Sequence, residues 1–320
     1  MADGTRTHLE TWNLQLAEFE ENQRVGPVRA ALGRMRRNKL LLLGSVLGLA
    51  VLGTGLFGPI ISGADPTYQS FSATLLPPGS EGHLLGTDHL GRDLAVRVFI
   101  GIRVSLMVAA GVTVLSLALG LVLGMFGGFL GGWKDRMIRG TVDFVWGFPL
   151  ILVAVLFAGG LGEGLFPVIL AVGLVNTAAI ARVVRGEVLA LSEREFVEAA
   201  RAGGLSTSRI MWRHLFPNIL APALVLASYY VAVAIIAEAA LSFIGLGAQP
   251  PTPSLGGMVS DGRNYLQHNV PELGQVGHWG ATIPGITILL LVLAVSLIGD
   301  GLRDVFDPRL RHEAKGVDEE

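Results

Sequence analysis

The sequence contains no cysteine. That excludes disulfides, thiolate metal sites and a cysteine nucleophile, and leaves the redox compartment open. Charge is also scarce: 16% of the 320 residues are Asp, Glu, Lys or Arg, where a soluble domain carries about 25%. Together with 51% hydrophobic residues and a mean hydropathy of +0.56, the missing charge points to lipid as the main solvent. The net charge of −2 lacks the basic excess that a nucleic-acid partner demands, so none is expected. A phosphate-binding loop is missing too. Residues 127–134, GGFLGGWK, come nearest, but Trp133 separates the glycine from the lysine and no strand pattern precedes them. Nor is a metal expected. His83 and His89 have no third ligand nearby, and His268 and His278 are not spaced for one.

What is present is a series of long apolar runs. A membrane helix needs about 20 mostly apolar residues. Segments 40–61, 104–130, 215–237 and 280–299 carry no charge. Segment 144–161 is shorter and contains Pro149, and a start near Met137 gives it full length. Segment 165–181 is the weakest by length. Unpaired backbone groups are not tolerated in hydrocarbon, so these runs predict helices, and no short alternating segments suggest a β-barrel. The expected fold is all-α, with six transmembrane helices.

Orientation follows from Lys and Arg. With the N-terminus inside, only Arg92, Arg97, Arg103 and Arg263 of the 24 basic residues fall outside. Residues 1–38 then read as a cytoplasmic tail, and 303–320 as a second one. The opening residues are polar, and no short apolar core precedes Leu40, so no cleavable leader is expected. Within that tail, Leu9, Trp12, Leu16 and Phe19 recur at helical spacing. They suit either a helix lying on the membrane or on a partner, or a partly ordered tail. The first span is placed at 39–62, an outer loop at 63–103, and a five-helix core at 104–302.

Several shorter features stand out. Gly120, Gly124, Gly128 and Gly132 recur every four residues. This predicts a close helix–helix seam, either within the chain or against a second subunit. In the outer loop, Gly86-Thr87-Asp88 reads as a turn, and Leu90, Leu94, Val98 and Ile102 as the apolar stripe of an interfacial helix. Arg92 and Asp93 are placed to pair with neighbouring charges. Asp143 lies one turn after Arg139, which suggests an ion pair between them. Glu238 is placed just after the fifth span and is a candidate for lining a translocation path. Asn176, inside the fourth span, reads as an interhelical hydrogen bonder. The loop 245–279 is too long for a mere connector, and its Asp261 and Arg263 are candidates for contact with a solute or an outside protein.

The polar insert in this apolar chain is residues 195–222, EFVEAARAGGLSTSRIMWRHLFPNILAP. Ser192 and Glu195 have the spacing of a capping box, which predicts a helix start. Phe196, Ala199 and Ala200 give it a small apolar face. Gly203-Gly204 predicts its stop, and Ser206 to Ser208 the start of a second short helix. Pro217 predicts a break or kink before the fifth span. The result is a stiff two-helix knob in a cytoplasmic loop, suited either to a groove on another protein or to packing on its own chain.

The stretch EAARAGG…LFP, residues 198–217, resembles the Glu-Ala-Ala loop of membrane subunits of ABC importers. That pattern is Glu-Ala-Ala, three residues, Gly, nine residues, then Ile-x-Leu-Pro. Glu198, Ala199, Ala200, Gly204 and Pro217 match it, while His214 and Phe216 replace its Ile and Leu. The stretches HLLGTDHLGRD, AALSFIGLGAQPPTPSLGGMVSDGRNYL and IGDGLRDVFDPRLR are similar to the C-type subunit of the dipeptide/oligopeptide/nickel permease family. The similarity runs from about 38 to 311 and leaves the N-terminal tail outside. It implies a type I importer permease that pairs with a second permease, two cytosolic ATPases and an extracytoplasmic binding protein. It places ATP and Mg on the ATPases and no cofactor or catalysis in this chain. The coupling residues it implies are Glu198, Ala199, Ala200, Gly203, Gly204 and Pro217, within a coupling segment 192–217. An ATP-independent secondary transporter and a non-transporting membrane scaffold are the alternatives.

Overall fold

The computed structural model describes residues 38–266, 269–270 and 275–306. Both expected tails, apart from their innermost residues, and His268 lie outside these. Five helices among the described residues are long and apolar enough to cross a membrane. They are α1 (Lys39–Ser62), α2 (Leu94–Leu130), α5 (Leu165–Ser192), the run Thr207–Phe243 that ends in α8 (Phe216–Phe243), and α10 (Trp279–Phe306). Helices α3 (Gly132–Trp146) and α4 (Leu150–Leu161) meet at 91° and make a sixth span only as a bent pair. The break falls at Gly147-Phe148-Pro149, because Pro149 cannot continue a helix from the preceding turn. Residues 132–161 are therefore a broken helix, where the hydropathy run predicts a continuous span. Short helices α6 (Glu195–Ala202), α7 (Thr207–Ile210) and α9 (Leu255–Gly262) connect the spans, with a two-residue antiparallel ribbon, Asn269–Val270 against Gln275–Val276.

Helix ends follow local chemistry. The Asn38 side chain accepts from Leu41 N at 3.0 Å and starts α1, and Asp93 accepts from Val96 N at 3.0 Å and starts α2. Both satisfy backbone donors that a first turn leaves open. Because Asp93 caps α2, the stripe Leu94, Val98, Ile102 belongs to the second span itself. It is not a separate interfacial helix. All three residues are at most 4% exposed and pack in the main core with Val168, Ile235, Leu255 and Trp279.

The glycine seam closes within the chain. A methyl group at Gly120, Gly124 or Gly128 would lie 2.6 to 2.8 Å from Ile180, Val184 or Val188 of α5. Such distances leave no room for a side chain, so these glycines let α2 and α5 approach closely. This is the most extensive helix pairing among the described residues. Gly132 is outside the seam, since α2 ends at Leu130 and Gly132 opens α3 with φ +61°. Outward-facing positions of α1 and α4, such as Val46, Ile60, Ile151 and Leu156, stay exposed and apolar, as lipid or another apolar surface requires.

Candidate functional site

The polar insert folds at one end of α2. Helix α6 begins without the expected capping box. Ser192 is the last residue of α5 and donates its hydroxyl to Val188 O at 2.6 Å, so it cannot cap the next helix. Arg194 occupies the cap position instead. The helix stop is as the glycines suggest. Leu205 N donates to Ala200 O at 3.1 Å and Gly204 N to Arg201 O at 3.0 Å, with Gly204 at φ +76°. This is the paired hydrogen-bond pattern that a left-handed residue allows after a helix.

The two faces of α6 differ sharply. Val197 and Ala200 are buried with Ile210, Met211 and Leu215 against Met125, Val184 and Val188 of α2 and α5. Phe196 and Ala199, expected on the apolar face, are exposed, because the helix rolls onto Val197. Glu198, Ala199, Gly203, Gly204 and Pro217 are exposed, and Ala200 is not. Arg201 lies over the Phe129 ring at 5.2 Å and ties the knob to the end of α2. Pro217 does not break the chain. Residues Met211–Leu215 form a π turn that runs directly into α8. Pro217 offers no N–H and its ring crowds the carbonyl four residues back, and the wider turn accommodates both effects. The knob is therefore anchored on its own chain by one face and presents outward a face of polar and small residues together with Phe196 and Trp212.

The other end of α2 is built from polar ties. Asp88 is 6% exposed. Its Oδ1 accepts from Leu90 N at 2.9 Å and Arg92 N at 3.0 Å, and its Oδ2 accepts from Arg92 Nε at 2.6 Å. His83 Nδ1 meets Asp93 Oδ2 at 2.8 Å, and Trp279 Nε1 donates to Thr87 O at 3.1 Å. These contacts answer the pairing expected of Arg92 and Asp93. Asp261 and Arg263 lie here too, in the last turn of α9 and just after it. Arg92 reaches Asp261 at 3.6 Å, and Arg263 lies over Phe243 at 5.5 Å. Both line an open cavity of about 380 Å³, together with Arg92 and Arg97.

Glu238 does not lie beyond the fifth span. It sits inside α8, fully buried, where Ser105 Oγ of α2 donates to it at 2.6 Å and Ser242 Oγ at 2.7 Å. In this conformation the carboxyl group ties α2 to α8. Asp143 pairs with Arg182 of α5 at 2.8 Å rather than with Arg139, because the bend after Trp146 turns α3 along α5. Among the described residues no group of three His, Asp or Glu could hold a metal ion.

Residues 120–312 match the family described as the binding-protein-dependent transport system inner membrane component. Residues 26–78 match the N-terminal transmembrane domain of oligopeptide transport permease C. The chain belongs to this permease family. It is 41% identical over 281 residues to an Escherichia coli dipeptide transport system permease protein, covering 86% of this chain and 91% of that one. An Alkalihalophilus pseudofirmus dipeptide transport system permease protein is 37% identical over 287 residues, covering 90% and 91%. A Bacillus subtilis oligopeptide transport system permease protein is 35% identical over 281 residues, covering 88% and 89%. The fold is similar to an inward-facing structure of the MetNI methionine ABC transporter, with a TM-score of 0.53 and 19% identity over 66% of this chain and 97% of that one. The permease is thus an integral membrane protein with the importer-type helical fold.

Two residues of the permease escape a reading by motif. Arg97 is counted in the sequence only as one of four cations expected outside, yet it is 4% exposed and lines the cavity at the Asp88 end of α2. Its signal is position: it falls one turn after Leu94 on the buried side of α2, where a charge is costly unless paired. Arg185 forms a two-pronged ion pair with Asp135, at 2.6 and 2.8 Å, fastening α3 to α5. No local spacing connects residues fifty positions apart.

Proposed function

We propose that the permease is the C-type membrane subunit of an ATP-driven importer of dipeptides, oligopeptides or related small solutes. It forms the translocation path with a second permease, receives solute from an extracytoplasmic binding protein, and is driven by two cytosolic ATPases. The observation that carries this reading is the knob, with an apolar face locked onto α2 and α5 and a polar face left open. The names of the relatives supply the solute class. ATP and Mg belong to the ATPase subunits, and this chain supplies no catalytic residue. The charge asymmetry supports a cytoplasmic position for both tails and the knob, in a cell-membrane protein.

In this mechanism the ATPases grip the open face at Glu198, Ala199, Gly203 and Gly204. Ala200 lies beneath that face and, with Val197, passes movement to the ends of α2 and α5. The π turn at Met211–Leu215 and Pro217 pass it into α8. The Glu238 ties to Ser105 and Ser242 sit where α2 and α8 must part if the path is to open between them. Asp261 and Arg263 meet the arriving solute or its binding protein. Solute biases the cycle only through its different affinity for the two states.

The reading is tested by reconstituting the permease with its partner permease, ATPases and binding protein in liposomes. Uptake of a mixed dipeptide pool should require ATP. Uptake that persists without ATP would favour a secondary transporter, and an intact complex with no uptake would favour a scaffold.

A further inference from the structure

The cavity at the outer end of α2 carries more positive charge than the fold uses. Arg92, Arg97 and Arg263 line it, with Asp261 as the one carboxylate among its lining residues. Arg97 is the deepest of them, and its Nη1 donates to Pro66 O at 3.1 Å. Its Nε has no hydrogen-bond acceptor among the described residues. Asp88 Oδ2 lies 3.6 Å from it, beyond hydrogen-bonding distance, and is already held by Arg92. A buried guanidinium with an unused N–H is costly. A purely structural position would be filled better by an apolar side chain of similar length. On the same lining, Asp261 is half exposed and engaged by Arg92 only at 3.6 Å, so its carboxylate is open to a second cation.

We propose that this cavity is a binding site for the free ends of a short peptide. The terminal carboxylate sits on Arg97 and Arg263, and the terminal ammonium faces Asp261. The inference rests on the importer reading for the origin of the peptide, while the site itself is argued from the cavity. A volume of about 380 Å³ accommodates a small solute, not just one carboxylate group. A single acidic side chain from a docking protein would satisfy Arg97 but bring no cation to Asp261, whereas a small zwitterion carries both charges into the lining.

The test uses the assembled transporter in lipid nanodiscs, without its binding protein. Equilibrium dialysis compares Ala-Ala, its C-terminal amide and its N-acetyl derivative. The amide is expected to bind at least tenfold more weakly than Ala-Ala, and the N-acetyl form more weakly by a smaller factor. Arg97→Gln should lose at least tenfold in Ala-Ala affinity. Because it also breaks the contact to Pro66, Arg263→Gln serves as the second variant and should show the same preference reduced severalfold. Equal binding of Ala-Ala and its amide overturns the site, as does unchanged Ala-Ala binding in Arg263→Gln. In a separate pull-down with the binding protein added, variants that keep Ala-Ala binding but fail to capture that protein would make the cavity a protein-docking surface instead. ATP-driven dipeptide uptake by the wild type is measured in parallel. Its absence, with carboxylate-selective binding intact, would sink the importer reading and leave the site standing.

Discussion

The two ends of α2 solve the same problem, holding loops against a membrane bundle, in opposite ways. At the Asp88 end, side-chain hydrogen bonds and ion pairs do the holding: Asp88 gathers three donors, and Thr87, His83 and Trp279 add further ties. At the knob end, apolar burial does it, with Val197, Ile210 and Leu215 at most 2% exposed. Polar ties are directional and fix a loop in one geometry. Apolar contact fastens the knob but leaves its exposed face free of obligations to the rest of the chain. The first arrangement suits a shaped receptacle, and the second suits a handle.

The comparison can be broken most strongly at Asp88. Asp88→Asn removes the charge paired with Arg92 at 2.6 Å, and uncoupling a buried pair costs about 3–5 kcal/mol. Thermal unfolding of the purified permease in detergent should show a clear drop in Tm, with new tryptic cleavage at Arg92. An unchanged Tm would mean that the polar ties do not hold this end. Leu215→Ala should cost about 2–5 kcal/mol, as for other large-to-small core changes. Here proteolysis should appear at Arg201 and Arg209 while the Asp88 end stays protected. If both ends loosen together, they are one cooperative unit and the contrast drawn above is lost. Gly204→Ala forces a side chain into the left-handed region and should cost roughly 1–2 kcal/mol. Its effect should be confined to the turn between α6 and α7, which hydrogen exchange of Gly204 and Leu205 would register.

Much of this architecture is legible in the residues. The charge-free runs give four of the long helices directly, and the Glu-Ala-Ala and Gly-Gly signals give α6 and its stop. The misreadings are instructive. The spacing of Ser192 and Glu195 fits a cap, but Ser192 serves the preceding helix, because α5 continues eleven residues past the apolar run that ends at 181. The stripe beginning at Leu90 looks interfacial, because its Arg97 and Arg103 interrupt the hydropathy. The structure extends α2 through both. Pro149 and Pro217 show that proline does not have one meaning. The first accompanies a 91° bend, and the second is absorbed by a π turn. Glu238, Asp261 and Arg263 were recognisable as unusual charges, but their surroundings were not. Those depend on Ser105, Phe243 and Arg92, which only the folded chain brings near.

The smallest change to the fold should have the largest consequence for transport. Glu198 is exposed on the open face of the knob, so Glu198→Lys should alter stability by no more than about 0.5 kcal/mol. In cells carrying the complete transporter, the variant permease is purified from the membrane and its ATPase subunits are quantified, alongside ATP-driven uptake. The expected result is a permease with wild-type Tm that has lost its ATPases and its uptake. A Glu198→Lys permease that co-purifies with both ATPases and transports normally would contradict the handle role of the knob.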